Sequence, residues 1–119
     1  MAITNDPHDL LDDRETFAVG IVRGRGDPAV AVHGEFDLSA VDAVRRCIDE
    51  VRRSGRPLVI DLSATTFIDS AGVKVLLEAY QLQGRNDEAI VLRNPSPAVR
   101  RIVDMTGVGR MLRIVETPA

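Results

Sequence analysis

Two short apolar segments near the start of the chain have the spacing of strands. Residues 17–22 alternate large and small side chains, and residues 29–34 form a second apolar run. The segment between them is rich in glycine and ends in a proline, which favours a turn. The two strands are therefore predicted to form an antiparallel hairpin. The first 16 residues are polar and acidic, and they predict a flexible N-terminal tail.

Three later segments repeat apolar residues every three or four positions, which is the spacing of an amphipathic helix. They cover residues 39–54, 73–84 and 97–107. Ser39 is predicted to cap the first helix and Ser96 the third, because a serine hydroxyl accepts a hydrogen bond from the first turn. Pro97 suits the first position of a helix, where its missing N–H costs nothing. A glycine marks the end of each helix.

Short apolar runs separate the helices and predict the remaining strands. Residues 57–62 are almost continuously apolar, which is typical of a central strand covered on both faces. Residues 88–92 and 111–115 predict two further strands. No strand is predicted for residues 63–72. Alternation of helices and strands after a hairpin predicts an α/β fold whose sheet is mostly parallel with one antiparallel edge. One domain is expected over residues 17–116.

The composition narrows the class of protein. The chain has 119 residues, of which 45% are hydrophobic and 28% charged, and this suits one domain with one core. A net charge of −3 and 3% aromatic residues argue against direct binding of nucleic acid. No apolar run has the length of a membrane span, and no secretory leader is recognised. Because a single cysteine excludes a disulfide framework, a cytoplasmic location is expected.

Three aspartates lie at or after the carboxyl ends of predicted strands, where α/β folds place their sites. They are Asp37, Asp61 and Asp69. Such carboxylates could cluster around Mg²⁺. A phospho-accepting receiver domain would need paired acids after the first strand, and this chain has Arg23 and Gly24 there. The other interpretation makes the three aspartates helix caps and turn formers, and no metal site is predicted.

Ser70 lies in the segment FIDSAG, where an apolar run meets a helix. A hydrolase nucleophile would need glycines two positions either side of the serine, but residue 68 is isoleucine. His33 is the only histidine outside the tail, and no acid is placed to orient it. Two interpretations remain: a helix cap, and an acceptor of phosphate at a helix start. Gly72 would leave room for another protein's active site.

Arginines occur in two groups interspersed with acids, at residues 45–56 and 100–113. Asp42 with Arg46, and Asp49 with Arg53, have the spacing of ion pairs on one helix face. A solvated face is one interpretation of these arginines and a protein interface is the other, because arginine is enriched at interface hot spots.

Four blocks of sequence carry a resemblance to a known family. They read GEFD at residues 34–37, VIDLS at 59–63, TFIDSAG at 66–72 and SPAVRRIVDMTG at 96–107. In order and spacing they resemble the STAS-domain anti-sigma factor antagonists of bacteria. The resemblance extends from about residue 17 to residue 115, which is nearly the whole predicted domain.

The resemblance implies a STAS fold and a regulatory binding protein rather than an enzyme. Such proteins capture an anti-sigma factor, usually a serine kinase with a GHKL-type ATP site, and thereby free a sigma factor for transcription. The kinase phosphorylates a serine in the family motif, which ends capture, and a PP2C-type phosphatase reverses the reaction. The resemblance implies no cofactor, and a monomer or weak dimer is expected.

By its place in the motif, Ser70 is the residue implied to accept phosphate. The residues implied to bind the partner are Asp37, Asp69, Ser70, Ala71, Gly72 and Lys74. Ala71 stands where relatives often carry Ser or Thr, which leaves Ser70 as the single hydroxyl there. Phe36 replaces a smaller aliphatic residue.

Two other functions stay open at the level of sequence. Within the same fold, the chain could be a scaffold or a nucleotide- or ligand-sensing module that is never phosphorylated. In another class, it could be a small phosphotransfer or metal-dependent enzyme that uses Asp37, Asp61 and Asp69.

Overall fold

The computed structural model describes residues 16–24, 26–84 and 89–117. The described strands are β1 Phe17–Val22, β2 Ala29–Phe36, β3 Leu58–Asp61, β4 Thr65–Ile68, β5 Ile90–Arg93 and β6 Arg113–Val115. The described helices are α1 Val41–Arg53, α2 Ser70–Leu82 and α3 Pro97–Thr106, and two 3₁₀ turns span Leu38–Ala40 and Val108–Arg110. The predicted N-terminal tail falls outside the described residues, apart from Thr16.

The strands form one mixed sheet with the order β1-β2-β3-β5-β6, and β4 pairs with β2 outside that path. β1 and β2 are antiparallel, with Phe17 opposite Gly34 and Val22 opposite Ala29. Every other pairing is parallel. The predicted α/β architecture, with a hairpin at one edge of a mostly parallel sheet, is therefore confirmed.

β4 was not predicted from the sequence, and its pairing partner explains why. The first half of β2 pairs with β3, and its second half pairs with β4 after a shift of register between Gly34 and Glu35. β4 therefore follows β3 along the same edge of β2. In the turn between β3 and β4, Ala64 O accepts a hydrogen bond from Gly34 N–H of β2 at 2.9 Å. Only this tertiary pairing makes a strand of the four residues TTFI, two of which are exposed.

The expectation that the central strand is covered on both faces is wrong. In β3, Leu58 and Ile60 are completely buried, whereas Val59 and Asp61 are half-buried. The same alternation occurs in β5. One face of the sheet therefore carries the main core, and the other face is only partly covered.

α1 and α2 pack against each other, and buried residues of both helices belong to the main core. Arg45 on α1 reaches Glu78 on α2 at 2.6 Å. Within the described residues, neither ion pair predicted along α1 forms, and Arg46 Nε instead donates to the main-chain oxygen of Asp42 at 3.4 Å. Arginine pairing therefore joins elements here, which only the folded arrangement decides.

The third helix begins and ends as the sequence predicted. Ser96 is its N-cap and accepts a hydrogen bond from Val99 N–H, Pro97 is its first residue, and Gly107 closes it at φ +80°. The Ser96 hydroxyl also donates to Thr65 O at 2.5 Å. α3 is thus tied to the start of β4, the strand that leads to Ser70.

Candidate functional site

The candidate site forms where β2 and β4 end side by side. Phe36 lies opposite Ile68, and Asp69 N–H donates to Phe36 O at 3.4 Å. The residues that follow the two strands, Asp37 and Asp69, therefore leave the sheet as neighbours. The 3₁₀ turn after Asp37 also contacts α2. Two segments distant in sequence are thus combined into one surface.

Asp69, and not Ser70, is the N-cap of α2. Its backbone is extended, and its Oδ1 accepts hydrogen bonds from Ala71 N–H at 2.9 Å and Gly72 N–H at 3.2 Å. Of the two interpretations of Ser70, the helix cap is therefore wrong, because the carboxylate of the preceding residue already binds the free N–H groups. α2 consequently begins at Ser70, three residues before its apolar spacing becomes regular.

Ser70 is the first residue of α2 and is exposed. Nothing in the described part of the chain hydrogen-bonds to its hydroxyl, and His33, the histidine among the described residues, lies on β2. The hydroxyl is therefore presented to solvent without a general base. Among the described residues, Ser70 therefore has no neighbour that would activate it as a nucleophile.

Position 72 has no space for a side chain, because residues of β2 and β4 lie directly against Gly72. A Cβ at this position would lie 2.6 Å from Phe36 O and 2.7 Å from Ile68 Cγ1. Gly72 is buried, so the expected room for another protein's active site is filled by β2 and β4. The glycine instead lets the first turn of α2 sit directly on the end of the sheet.

Asp37 organises the neighbouring turn in a similar way. Its Oδ1 accepts hydrogen bonds from Ser39 N–H at 3.0 Å and from the Ser39 hydroxyl at 2.5 Å. The prediction that Ser39 caps the first helix is therefore wrong: Asp37 caps the 3₁₀ turn, and α1 starts at Val41 after it. The Ser39 hydroxyl is used as a donor to the carboxylate.

Comparison with known proteins identifies the family. The sequence model of the STAS domain family matches residues 21–119 of this chain. The chain belongs to the STAS domain family. An anti-sigma F factor antagonist of Paenibacillus polymyxa is 32% identical over 94 residues, which are 77% of this chain and 80% of that protein. The anti-sigma-F factor antagonist RsfB of Mycobacterium tuberculosis is 29% identical over 104 residues, which cover 87% of this chain and 84% of its own.

Solved structures agree with the fold. The crystal structure of an anti-sigma factor antagonist from Mycobacterium paratuberculosis matches this STAS domain with a TM-score of 0.76 at 29% sequence identity. The match covers 90% of this chain and 92% of that chain. The mixed sheet and its helices are therefore arranged as in a known member of the family.

Asp61 does not join the site, and the three aspartates do not form a metal centre. In this STAS domain Asp61 Oδ2 accepts hydrogen bonds from Arg93 at 3.0 and 2.9 Å, and its Oδ1 accepts the N–H and hydroxyl of Ser63. Burial alone would raise the pKa of Asp61, but the bonds from Ser63 and Arg93 outweigh it and hold that pKa below its ordinary value. No group of three or more metal-ligating side chains occurs among the described residues. Asp61 is thus held by Arg93 and Ser63 away from the site, whereas Asp37 and Asp69 each accept hydrogen bonds from the turn or helix that they cap.

The segments that meet at the site expose both charged and apolar side chains. Lys74 is exposed on α2, and Ala71 is half-buried. Leu38, in the 3₁₀ turn, is 75% exposed, and Phe67, on β4, is 46% exposed. Sequence reasoning did not select these two residues. In the sequence, each is an apolar residue close to a serine, and this pattern does not show whether the side chain lies in the core or on the surface.

Among the residues that the structure describes, none of the helices combines the length and the apolar character that a membrane span requires.

Proposed function

We propose that this STAS domain is a cytoplasmic antagonist of an anti-sigma factor with serine kinase activity. With Ser70 unphosphorylated, it binds the anti-sigma factor and so releases a sigma factor for transcription. Support comes from the relatives, which are named anti-sigma factor antagonists and match this chain over most of its length. The motif resemblance around Ser70 supports this serine as the position of the switch.

The observation that carries the proposal is the state of the Ser70 hydroxyl. It is exposed at the first residue of a helix, held in position by the Asp69 cap and by the close packing of Gly72. An acceptor must enter a kinase active site without unfolding its own domain. A rigid helix start with an exposed hydroxyl meets that requirement.

The proposed reaction is transfer of the γ-phosphoryl group of ATP to Ser70. The serine Oγ forms the new bond to phosphorus, the bond to the bridging oxygen of ATP breaks, and ADP leaves. The hydroxyl proton passes to a base of the kinase or to solvent. A PP2C-type phosphatase would return the serine by hydrolysis, in which water supplies the oxygen of the released phosphate.

Phosphorylation would end capture through charge and desolvation. It adds a charge of about −1.5 to −2 at neutral pH. The N–H groups of Ala71 and Gly72 are already bound to Asp69, so they do not neutralise the added charge without displacing that carboxylate. Leu38, on the turn that contacts α2, and Phe67, on the strand that leads to Ser70, offer exposed apolar area to a partner. Burying a phosphate dianion within such an interface is unfavourable.

Incubation of the purified chain with its anti-sigma factor kinase and ATP tests the proposal. We expect the intact mass to rise by one phosphate in the wild type and to stay unchanged in Ser70→Ala. Ser39→Ala is the matched control, because Ser39 is also an exposed serine near the start of a helix. It should gain phosphate like the wild type. Absence of phosphate from the wild type, or equal gain by Ser70→Ala, contradicts the proposal.

Binding is tested separately with the same kinase and no ATP. The unphosphorylated chain should bind, and the chain carrying phosphoserine at residue 70 should bind at least about tenfold more weakly, which is about 1.4 kcal/mol. Equal affinity of the two forms would show that phosphate at this position is not the release signal.

A further inference from the structure

Lys74 is the only lysine in the chain, and it lies four residues after Ser70 on α2. Both residues are exposed. Residues four apart on a helix are neighbours on its surface, with about 5–6 Å between their Cβ atoms. The flexible stem of lysine spans that distance. The ammonium group can therefore reach a group attached to the Ser70 oxygen.

Lys74 has no ionic partner in the described part of the chain. The acid one turn further along α2 is Glu78, whose two carboxylate oxygens lie 2.6 and 3.1 Å from a guanidinium nitrogen of Arg45. Because Arg45 on the neighbouring helix already binds Glu78, this carboxylate is not the ionic partner of Lys74. Its ammonium group remains available on the side of Ser70.

A phosphate on Ser70 would need such a cation. The nearest backbone donors, Ala71 N–H and Gly72 N–H, are bound to Asp69 at 2.9 and 3.2 Å. Two acidic side chains belong to the same site: Asp69 precedes the serine, and Asp37 lies before the turn that contacts α2. Lys74 is the cation that the helix itself places one turn from the modified oxygen.

We propose that Lys74 is the intramolecular counter-charge of phosphorylated Ser70. The inference rests on the proposed function, because it concerns the modified form of that serine. An acidic group four residues before a lysine is the more stabilising orientation of such a pair. In the unphosphorylated protein the ammonium is available to the anti-sigma factor, and in the phosphorylated protein it is held by the phosphate.

The pairing gives phosphorylation two effects on the same surface. A negative charge is added at Ser70, and the positive charge at Lys74 is withdrawn from the partner. Both effects weaken an interface in which the partner contacts the start of α2. The ion pair between the phosphate and Lys74 also stabilises the phosphorylated domain, and this offsets the repulsion from Asp69 and Asp37.

The test uses protein with phosphoserine incorporated at residue 70 during translation, so that no kinase is needed. Phosphorus NMR measures the second pKa of the phosphate in the Lys74 protein, in Lys74→Met and in Lys74→Arg. We expect Lys74→Met to raise this pKa by about 0.3 unit, because the dianion loses its neighbouring cation. Lys74→Arg keeps the charge and should restore the original value.

A matched control is Arg46→Met, which removes an exposed cation from α1 that has no carboxylate partner among the described residues. It should leave the phosphate titration unchanged. Thermal unfolding should show that phosphoserine stabilises the Lys74 protein relative to Lys74→Met, with no such difference when residue 70 is serine. Identical titration of the Lys74 and Lys74→Met proteins would overturn the pairing. That result would not contradict phosphorylation of Ser70 by a kinase. Conversely, failure of the kinase reaction would not affect this titration, because the phosphoserine is incorporated during translation.

Discussion

Asp69 determines how α2 begins, because its carboxylate binds two of the N–H groups that a helix start leaves without partners. It also places an acid next to the exposed hydroxyl of Ser70. One residue therefore does two things: it holds the acceptor in position, and it occupies the donors that a phosphate would otherwise use. Capping and acceptance of phosphate are divided between neighbouring residues.

Two replacements of Asp69 distinguish the contribution of its hydrogen bonds to stability from the contribution of its charge. Asp69→Ala should lower the free energy of unfolding by about 1 kcal/mol, because two helix N–H groups lose their acceptor. Asp69→Asn should retain most of the stability, since its amide oxygen still accepts the bonds. Urea unfolding measures both variants. Equal loss in the two would mean that charge, rather than the hydrogen bonds, stabilises the helix start.

Gly72→Ala should destabilise the domain, since the new methyl group would meet Phe36 O at 2.6 Å and Ile68 Cγ1 at 2.7 Å. A backbone oxygen cannot move aside easily, so overpacking should cost about 1–3 kcal/mol, against a gain in helix propensity of about 1 kcal/mol. Gly24→Ala is the control, because a Cβ there meets nothing within 4 Å. Urea midpoints should fall for Gly72→Ala and stay level for Gly24→Ala.

At the scale of the elements, the division of β2 between two partners positions the site. β3 pairs with its first half and β4 with its second half, so the chain reaches Asp69 at the end of the sheet and turns directly into α2. The Ser96 hydroxyl fastens α3 to the first residue of β4 at Thr65. The helix that carries Ser70 therefore begins from a strand supported on both sides.

The contact between β3 and β5 should make stability depend on pH. Asp61 pairs with Arg93 across these strands, and its pKa lies below the ordinary value in the folded state. A group of this kind stabilises the fold above its unfolded pKa of about 3.9, and the contribution is lost as pH falls through the lower folded pKa. Between pH 5 and pH 3, unfolding free energy should therefore fall less steeply in Asp61→Asn than in the wild type.

Arg93→Met provides the companion measurement. It removes the cation but leaves the two bonds from Ser63 to Asp61, so the slope in the same range should lie between those of the wild type and Asp61→Asn. Urea unfolding at several pH values gives the three curves. Three parallel curves would show that Asp61 does not contribute to the acid sensitivity.

At the scale of the whole molecule, Cys47 reports on opening of the core. It is the only cysteine, it is 2% exposed on α1, and burial raises the pKa of its thiol. Because the thiolate is the reactive form, a disulfide reagent should react with the native chain at least about 100-fold more slowly than with the urea-unfolded chain. Absorbance of the released reagent thiolate measures both rates.

The control for this experiment moves the thiol to the candidate site. In a chain with Cys47→Ala and Ser70→Cys, the thiol occupies the exposed first residue of a helix, so it should react rapidly without urea. Slow reaction of that variant would contradict the exposure of Ser70. Fast reaction of native Cys47 would contradict its burial in the core.

The pattern of the sequence was sufficient for the architecture. The hairpin, the three helices and the mostly parallel sheet follow from spacings of apolar residues and from the cap at Ser96, because these signals act within a few residues of one another. Four blocks of sequence, in their order and spacing, were sufficient for the family, which the match over residues 21–119 confirms. The bounds of α1 and α2 were less accurate, because two aspartates rather than serines begin the helical segments.

Tertiary structure decided the properties that depend on distant residues. β4 exists because β2 offers it an edge, Gly72 is small because Phe36 and Ile68 lie against it, and Arg45 binds Glu78 because two helices meet. Asp61 leaves the group of acids because Arg93 lies opposite it on the next strand. Local spacing contains no information on such contacts, since each partner comes from another part of the chain. The sequence by itself therefore determined the fold class and the serine in the motif, and the packing of β2, β4 and α2 determined how that serine is presented.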